Sequence, residues 1–354
     1  MPTFDVVVPC YNYSRFLEYC VKSALNQEGA DVRVLIIDDC SSDDSAVVGQ
    51  RLAKEDSRVE FRRHEQNQGH IATYNEGLIG WAKADYCMLL SADDALCPGA
   101  FARALKVFEA SNDVGLVYGL ACIVTNEGEF QFPAGNDFVS TQTITGKEFL
   151  RICCEEGNPV PTPTAIVRTA LQQNLGGYRK DLPHTGDMEM WMRFARHGSV
   201  GIVRSVQAEY RIHGSNMSAQ YYARVLSDRH ELVLTCLDAL SPILDTDADA
   251  RNWISSMYTR LLIEAEQKAI NAFDYGDSAA YEAWLGFAEE MVAKLNRPKR
   301  SRRLAARKLA GPKLWQLLRR AQKIWNPNLP DAQPLHTGWL PSHMEIIGKW
   351  PVAP

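Results

Sequence analysis

The sequence predicts an α/β protein, with a mostly parallel sheet flanked by helices and a helical C-terminal region. Three observations carry this expectation. Over the first 125 residues short aliphatic runs alternate with amphipathic segments, polar and acidic residues gather directly behind the aliphatic runs, and beyond about Tyr221 only helical periodicity remains. The composition, 46% hydrophobic and 23% charged, is that of an ordinary globular chain and excludes collagen-like, low-complexity and fully disordered classes. With 354 residues there is room for one large domain and a smaller one.

The elements follow in order. FDVVVP (4–9), VRVLIID (32–38), VEFRRH (59–64), YCMLLS (86–91) and GLVYGLACIVT (115–125) are short and rich in aliphatic or β-branched residues, as strands are. Ser14 stands where it can cap a helix in which Leu17, Val21, Ala24 and Leu25 recur three and four residues apart. Ser45–Lys54, Ile71–Lys83 and Gly99–Ala110 share that periodicity. Alternation of this kind makes a parallel sheet covered on both faces, which binds ligands beyond the carboxyl ends of its strands. From Gly157 the text GNPVPTPTAIVR, LGGYRKDLPHTGDMEMWMRFARHG and VQAEYRIHGSNMS reads as the second half of the same unit, with short strands and one helix through Met190–Arg196. Helical segments near 221–240, 248–273, 278–294 and 301–325 form an appendage, and a tail rich in proline and tryptophan follows Asn326. The chain therefore divides into 1–220, 221–325 and 326–354.

The residues behind the strands carry the chemistry. Asp93 and Asp94, adjacent in SADD, repel one another unless a cation or a set of donors compensates. Two readings stand. A hard cation such as Mg²⁺ or Mn²⁺ takes one or two protein carboxylates and completes its shell with water and phosphate oxygens; alternatively one Asp caps the helix that starts near Pro98. Asp38 and Asp39 pose a similar choice between binding a base or ribose and building a turn. Tyr11 offers an aromatic face for stacking on a base or for packing.

VPCYNY, IIDDCSSDDS, NQGHIATYNEGL, ADYCMLLSADD, GGYRKDLPHTGDMEMWMRFA and YRIHGSNMS, in this order, resemble the family 2 glycosyltransferases of the Rossmann-like GT-A fold across roughly residues 3 to 220. The resemblance implies an inverting transfer from a nucleotide sugar, uridine-based in most relatives, to a glycan or lipid-linked saccharide acceptor, assisted by Mn²⁺ or Mg²⁺. It implies that Pro9, Tyr11 and Asn12 meet the base, that Asp39 reads it, and that Asn67, Gly69 and Asn75 line the nucleotide pocket. Asp93 matches the metal-binding second acid of D-x-D and Asp94 the acid that follows it. His213 matches a histidine that touches metal or diphosphate in some members, although a histidine before Gly-Ser also caps turns. Asp187 matches the catalytic base, with Glu189 as the nearby alternative. Ser91 and Gly186 depart from the pattern where the family has acids. A non-catalytic binding module of the same fold and a sugar nucleotidyltransferase are the competing readings, the latter disfavoured by the lack of a glycine-rich, lysine-bearing phosphate loop near the N-terminus.

Between Lys294 and Lys323 there are twelve Lys or Arg and no Asp or Glu, although the whole chain has a formal charge of −5. Leu314, Leu317, Leu318, Ala321 and Ile324 or Trp325 form a helical stripe among these charges, which suits an anionic membrane surface, a packed terminal helix or a homo-oligomer contact. Nucleic acid is disfavoured as a partner by the acidity of the rest, and none is expected. Nine cysteines without a CxxC pair read as reduced, mostly buried thiols. No secretory signal and no spanning segment is visible, so the expected location is cytoplasmic, or peripheral at the inner face of the cell membrane.

Overall fold

A computed structural model describes residues 1–124, 140–213 and 225–296, together with parts of 304–318 and 346–347. The chain forms two compact units, Met1–Gly214 with Pro341–Pro354, and Ser215–Leu340. The first contains a mixed sheet flanked by helices. Its opening half is the predicted alternation: β1 (Thr3–Cys10), α1 (Ser14–Leu25), β2 (Asp31–Asp38), α2 (Ser45–Glu55), β3 (Val59–Arg63), α3 (His70–Asn75) and β4 (Tyr86–Leu89). β1 pairs in parallel with β2 and β4, and β2 with β3. Nearly continuous burial along β1 and β2 explains why these strands read as aliphatic runs rather than as alternating ones. Phe4, Leu17, Val21, Ile36, Met88 and Phe101 share one core, and the Phe4 and Phe101 rings stack 4.2 Å apart.

The second half departs from a parallel pattern. β5 (Ala95–Leu96), α4 (Ala100–Ala110), β6 (Val114–Val124), β7 (Ser140–Ile144), α5 (Gly146–Glu156), β8 (Ile166–Arg168), α6 (Thr169–Leu175), α7 (Gly186–Ala195) and β9 (Ser199–Arg211) follow in order. β8 lies antiparallel between β4 and β6, while β9 runs parallel to β6 and antiparallel to β5 and β7. The order is β3-β2-β1-β4-β8-β6-β9-β5. Where short strands were expected, β9 extends over 13 residues, because register shifts against β6 let it bend and continue. The helix expected over Ile71–Lys83 is α3 followed by a π-helical turn, Glu76–Trp81. A Cβ at Gly77 in that turn would lie 2.3 Å from Val7, so only glycine allows it to press against β1.

The second unit holds α8 (Val225–Leu240), α9 (Ala248–Tyr275) and α10 (Ser278–Lys294). Asp247 and Asp277 cap α9 and α10, and Gly276 ends α9 in a left-handed conformation. In the segment expected to be helical over 301–325, the described residues within 304–318 are helical, and of the tail after Asn326 only Ile346–Ile347 is described, as β10 paired with β6. All nine cysteines are free, and burial pushes the Cys10 and Cys87 thiols up to about 12, which makes them inert. Among the described residues no helix is long and apolar enough to cross a membrane.

The start of α5 meets the end of α7 so closely that a Cβ at Gly146 would lie 1.6 Å from the Ala195 carbonyl oxygen. Gly146→Ala is expected to lower the free energy of urea unfolding by about 2 to 3 kcal/mol, since both partners are backbone and cannot rotate away.

Candidate active site

The carboxyl ends of β1, β2 and β4 hold the predicted acidic edge. Asn12 adopts a φ of 62°, and its Oδ1 accepts hydrogen bonds from Ser42 N (2.8 Å) and Ser42 Oγ (3.1 Å). Asn12 thus ties the first loop to the second rather than reaching outward. Half-buried Pro9 precedes it, and Tyr11 keeps an exposed ring at the edge. Asp39 is buried; its Oδ1 accepts from Gln68 N at 2.7 Å and lies 2.6 Å from His64 Nδ1, and its Oδ2 accepts from Gly69 N at 2.9 Å. Asn67 donates to the Asp39 carbonyl at 3.2 Å, and Gly69 turns the chain with a φ of 82°. The loop over 64–69 is therefore folded around one carboxylate. Asn75 points elsewhere, exchanging hydrogen bonds of 2.6 and 2.8 Å with the backbone of Tyr178 and so fastening α3 to the approach of α7.

The adjacent pair behind β4 is resolved by unequal treatment. Asp93 accepts from Ser91 Oγ at 2.5 Å, and its Oδ2 lies 3.2 Å from Nε2 of His213. Asp94 instead accepts from Arg211 N at 2.9 Å, and burial, reinforced by the charge of Asp93, holds its carboxyl well above the usual carboxylate range. The pair is tolerated because one member leans toward its neutral form. β9 brings this surrounding in: Arg211 donates to the Asp93 carbonyl at 3.0 Å and Tyr19 donates to Glu209 at 2.8 Å. His213 stacks on Phe16 with ring centroids 5.2 Å apart. One carboxylate and one imidazole at hydrogen-bond separation suit a divalent cation that draws its other ligands from water and phosphate. Among the described residues no group of three His, Cys, Asp or Glu is arranged to hold a metal by itself. Asp94 turns toward Arg211, which departs from its expected place as a ligand.

Asp187 sits in the first turn of α7, where the helix end favours negative charge. Its Oδ2 accepts from Asn158 Nδ2 (3.0 Å) and Thr162 Oγ1 (3.1 Å), and its Oδ1 from Met188 N (2.7 Å). Burial raises its pKa above the usual range, against the pull of those hydrogen bonds. Glu189, the alternative base, is buried and salt-bridged at 2.8 Å to Arg193, which in turn donates to the Leu175 and Gly177 carbonyls. It is committed to holding the α6–α7 connection.

The structure therefore gathers Asp39, Asn67 and Gly69 at one group and Asp93 with His213 at another, with Tyr11 exposed in the loop after β1; Asn12 and Asn75 fasten loops and Glu189 a helix. Sequence reasoning missed His64, Glu76, Arg211, Asn158 and Thr162. Their only sequence signal was position beside a motif, since each acts through a partner at least 12 residues away.

This fold, with acids gathered beyond its strand ends, defines the GT-A class of sugar-transferring α/β proteins. Residues 5–172, just under half of the chain, match the family model for glycosyl transferase family 2. It is 32% identical over 152 residues to the Campylobacter jejuni GalNAc(5)-diNAcBac-PP-undecaprenol beta-1,3-glucosyltransferase, a match covering 42% of this chain and about half, 48%, of that relative. Two solved structures share the fold at low identity. S. aureus TarS 1-349 in complex with UDP-GlcNAc aligns with a TM-score of 0.51 at 15% identity, covering 85% of this chain and 93% of that one. The mannosyltransferase PcManGT from Pyrobaculum calidifontis, in complex with GDP-Man and Mn2+, aligns with a TM-score of 0.52 at 16% identity, covering 93% and 88%.

Glu189→Gln leaves the Arg193 guanidinium without its ionic partner in a largely buried place, so it is expected to cost about 3 kcal/mol in chemical denaturation. A cost below about 0.5 kcal/mol would show that Glu189 does not serve to hold α7.

Proposed function

We propose that the chain is an inverting, metal-assisted glycosyltransferase that moves a sugar from a uridine diphosphate sugar to a hydroxyl group of a surface-polysaccharide or glycoconjugate acceptor, with Asp187 as base. The observation that carries this reading is the state of Asp187, a carboxylate made more basic by burial yet oriented by three donors. The bond from the anomeric carbon to the diphosphate oxygen breaks as the acceptor oxygen bonds to the opposite face, and the acceptor proton passes to Asp187. Asp39 accepts an N–H of the base through the lone pairs left on its carboxylate, and Tyr11 stacks on the ring. Pro9 and Gly69 shape the nucleotide pocket, while Asn12, Asn67 and Asn75 keep its loops in place.

Asp93 and His213 would hold Mn²⁺ or Mg²⁺, and the ion, when bound, supplies positive charge to the departing diphosphate. Uridine is supported by the UDP-GlcNAc bound in the TarS structure, and GDP-Man in the Pyrobaculum enzyme marks guanosine as the competitor. The acceptor is lipid-linked in this reading and is met by a peripheral enzyme at an anionic membrane through 296–325. Supporting this are the twelve basic residues without an acid between Lys294 and Lys323 and the exposure of Leu309 (89%), Leu314 (52%), Leu317 (61%) and Leu318 (44%). Arg307 and Trp315 both donate to Asp274 of α9, at 2.9 and 2.7 Å, which fastens this segment to the helical unit.

Nucleotide release from UDP-, GDP- and dTDP-sugars with Mn²⁺ or Mg²⁺ tests the chemistry. One donor is expected to be hydrolysed slowly, with a rate that rises with pH through the raised pKa of Asp187, because the base works only when deprotonated. Asp93→Ala and Asp187→Asn are each expected to lower turnover by about a hundredfold or more, with Asp187→Asn still binding the donor. Binding without turnover, even when acceptors are supplied, would favour a non-catalytic module. In liposome flotation the full chain is expected to rise with phosphatidylglycerol vesicles, and the Leu309, Leu314, Leu317 and Leu318→Ser variant to remain below; equal recovery would remove the membrane partner.

A further inference from the structure

We propose that His64 is a positioning residue for the donor base, held as an imidazolium between Asp39 and Glu76. The inference rests on the reading that Asp39 contacts the base. His64 is buried at the end of β3, where its backbone N–H donates to the Asp38 carbonyl at 2.9 Å. Its Nδ1 lies 2.6 Å from Asp39 Oδ1 and its Nε2 lies 2.8 Å from Glu76 Oε2. Ionised carboxylates only accept, whereas a neutral imidazole has a single N–H. Both contacts are satisfied together only when the ring carries two protons.

The surroundings agree. Burial by itself would lower the pKa of His64, but the hydrogen bonds to Asp39 and Glu76 outweigh it and hold the ring above the ordinary histidine value. Arg63, the last residue of β3, faces Asp38 at 3.2 Å, and Arg62 spans Glu60 (2.7 Å) and Glu76 (3.2 Å). Glu65 follows in the loop and His70 lies on α3 within the field of Asp39. The nearby guanidiniums are thus engaged by Asp38, Glu60 and Glu76, and the proton that compensates Asp39 is carried by His64. With that proton in place Asp39 has a counter-charge in its buried setting and anchors the 64–69 loop through Gln68 and Gly69. The stabilising contribution is full below the ordinary histidine pKa and is lost as pH rises through the raised one. Affinity for the nucleotide then falls on the alkaline side through His64, separately from the acid-side loss of turnover through Asp187.

The test uses the full chain, with UDP and GDP as probes. Histidine ¹⁵N spectra of the nucleotide-free protein are expected to show His64 protonated on both nitrogens at pH 7, titrating above the ordinary value, and titrating lower in Glu76→Gln. Calorimetric Kd values across pH are expected to worsen on the alkaline side in wild type, to do so at lower pH in Glu76→Gln, and to be about tenfold weaker and flat with pH in His64→Gln, as for one lost hydrogen bond to a charged group. The wild-type spectra and Glu76→Gln remain decisive if His64→Gln fails to fold. A neutral His64 at pH 7, or the same alkaline limb in wild type and Glu76→Gln, would overturn the proposal. If wild type binds neither nucleotide at any pH, the donor reading of Asp39 falls and takes the role of His64 with it, whatever the spectra show.

Discussion

The constraint on which this molecule depends is the presence of carboxylates at the carboxyl ends of buried strands. Strands β1, β2 and β4 are packed on both faces, so whatever follows them starts from an apolar layer. An acid placed there needs donors, a counter-charge or a proton, and yet must keep enough capacity to bind a ligand. Much of the second half of the chain supplies those compensations. β9 carries Arg211 and leads to His213 beside Asp93 and Asp94, while the 158–164 region reaches Asp187 with Asn158 and Thr162.

Each acid meets the constraint in its own way, and the differences assign its work. Asp39 is given backbone donors and an imidazole, which favours a fixed acceptor. Asp94 is left under burial and the charge of its neighbour, and leans toward neutrality. Glu189 has a guanidinium of its own and becomes structural. Asp187 has neutral donors only, and they do not cancel the rise in basicity that burial brings. Ser91 belongs to the same logic: a third acid beside Asp93 and Asp94 would add repulsion, whereas the hydroxyl donates to Asp93. Departure from the family pattern at this position therefore changes how Asp93 is held without removing it.

Much of the fold was legible in the sequence because its signals are local. Aliphatic runs for β1, β2 and β4 and the spacing of Leu17, Val21 and Ala24 depend on burial periodicity within a few residues. Helices α9 and α10 were legible for the same reason, and the structure adds the caps at Asp247, Gly276 and Asp277. The antiparallel β8, the length of β9 and the π-helical turn were not, since strand direction and helix pitch there answer to packing between segments distant in sequence.

The site divides along the same line. By itself the sequence determined that acids stand behind the strands, that the chain carries a family 2 pattern, and that Asp39, Asp93 and Asp187 are the residues to watch. Only the tertiary structure decided their states: that Asn12 and Asn75 fasten loops, that Asp94 faces Arg211, that Glu189 is taken by Arg193, and that His64 stands between Asp39 and Glu76. The physical reason is that the type of a side chain is a local fact, whereas its charge, orientation and free valence depend on burial and on partners that the fold brings from as far as 120 residues away.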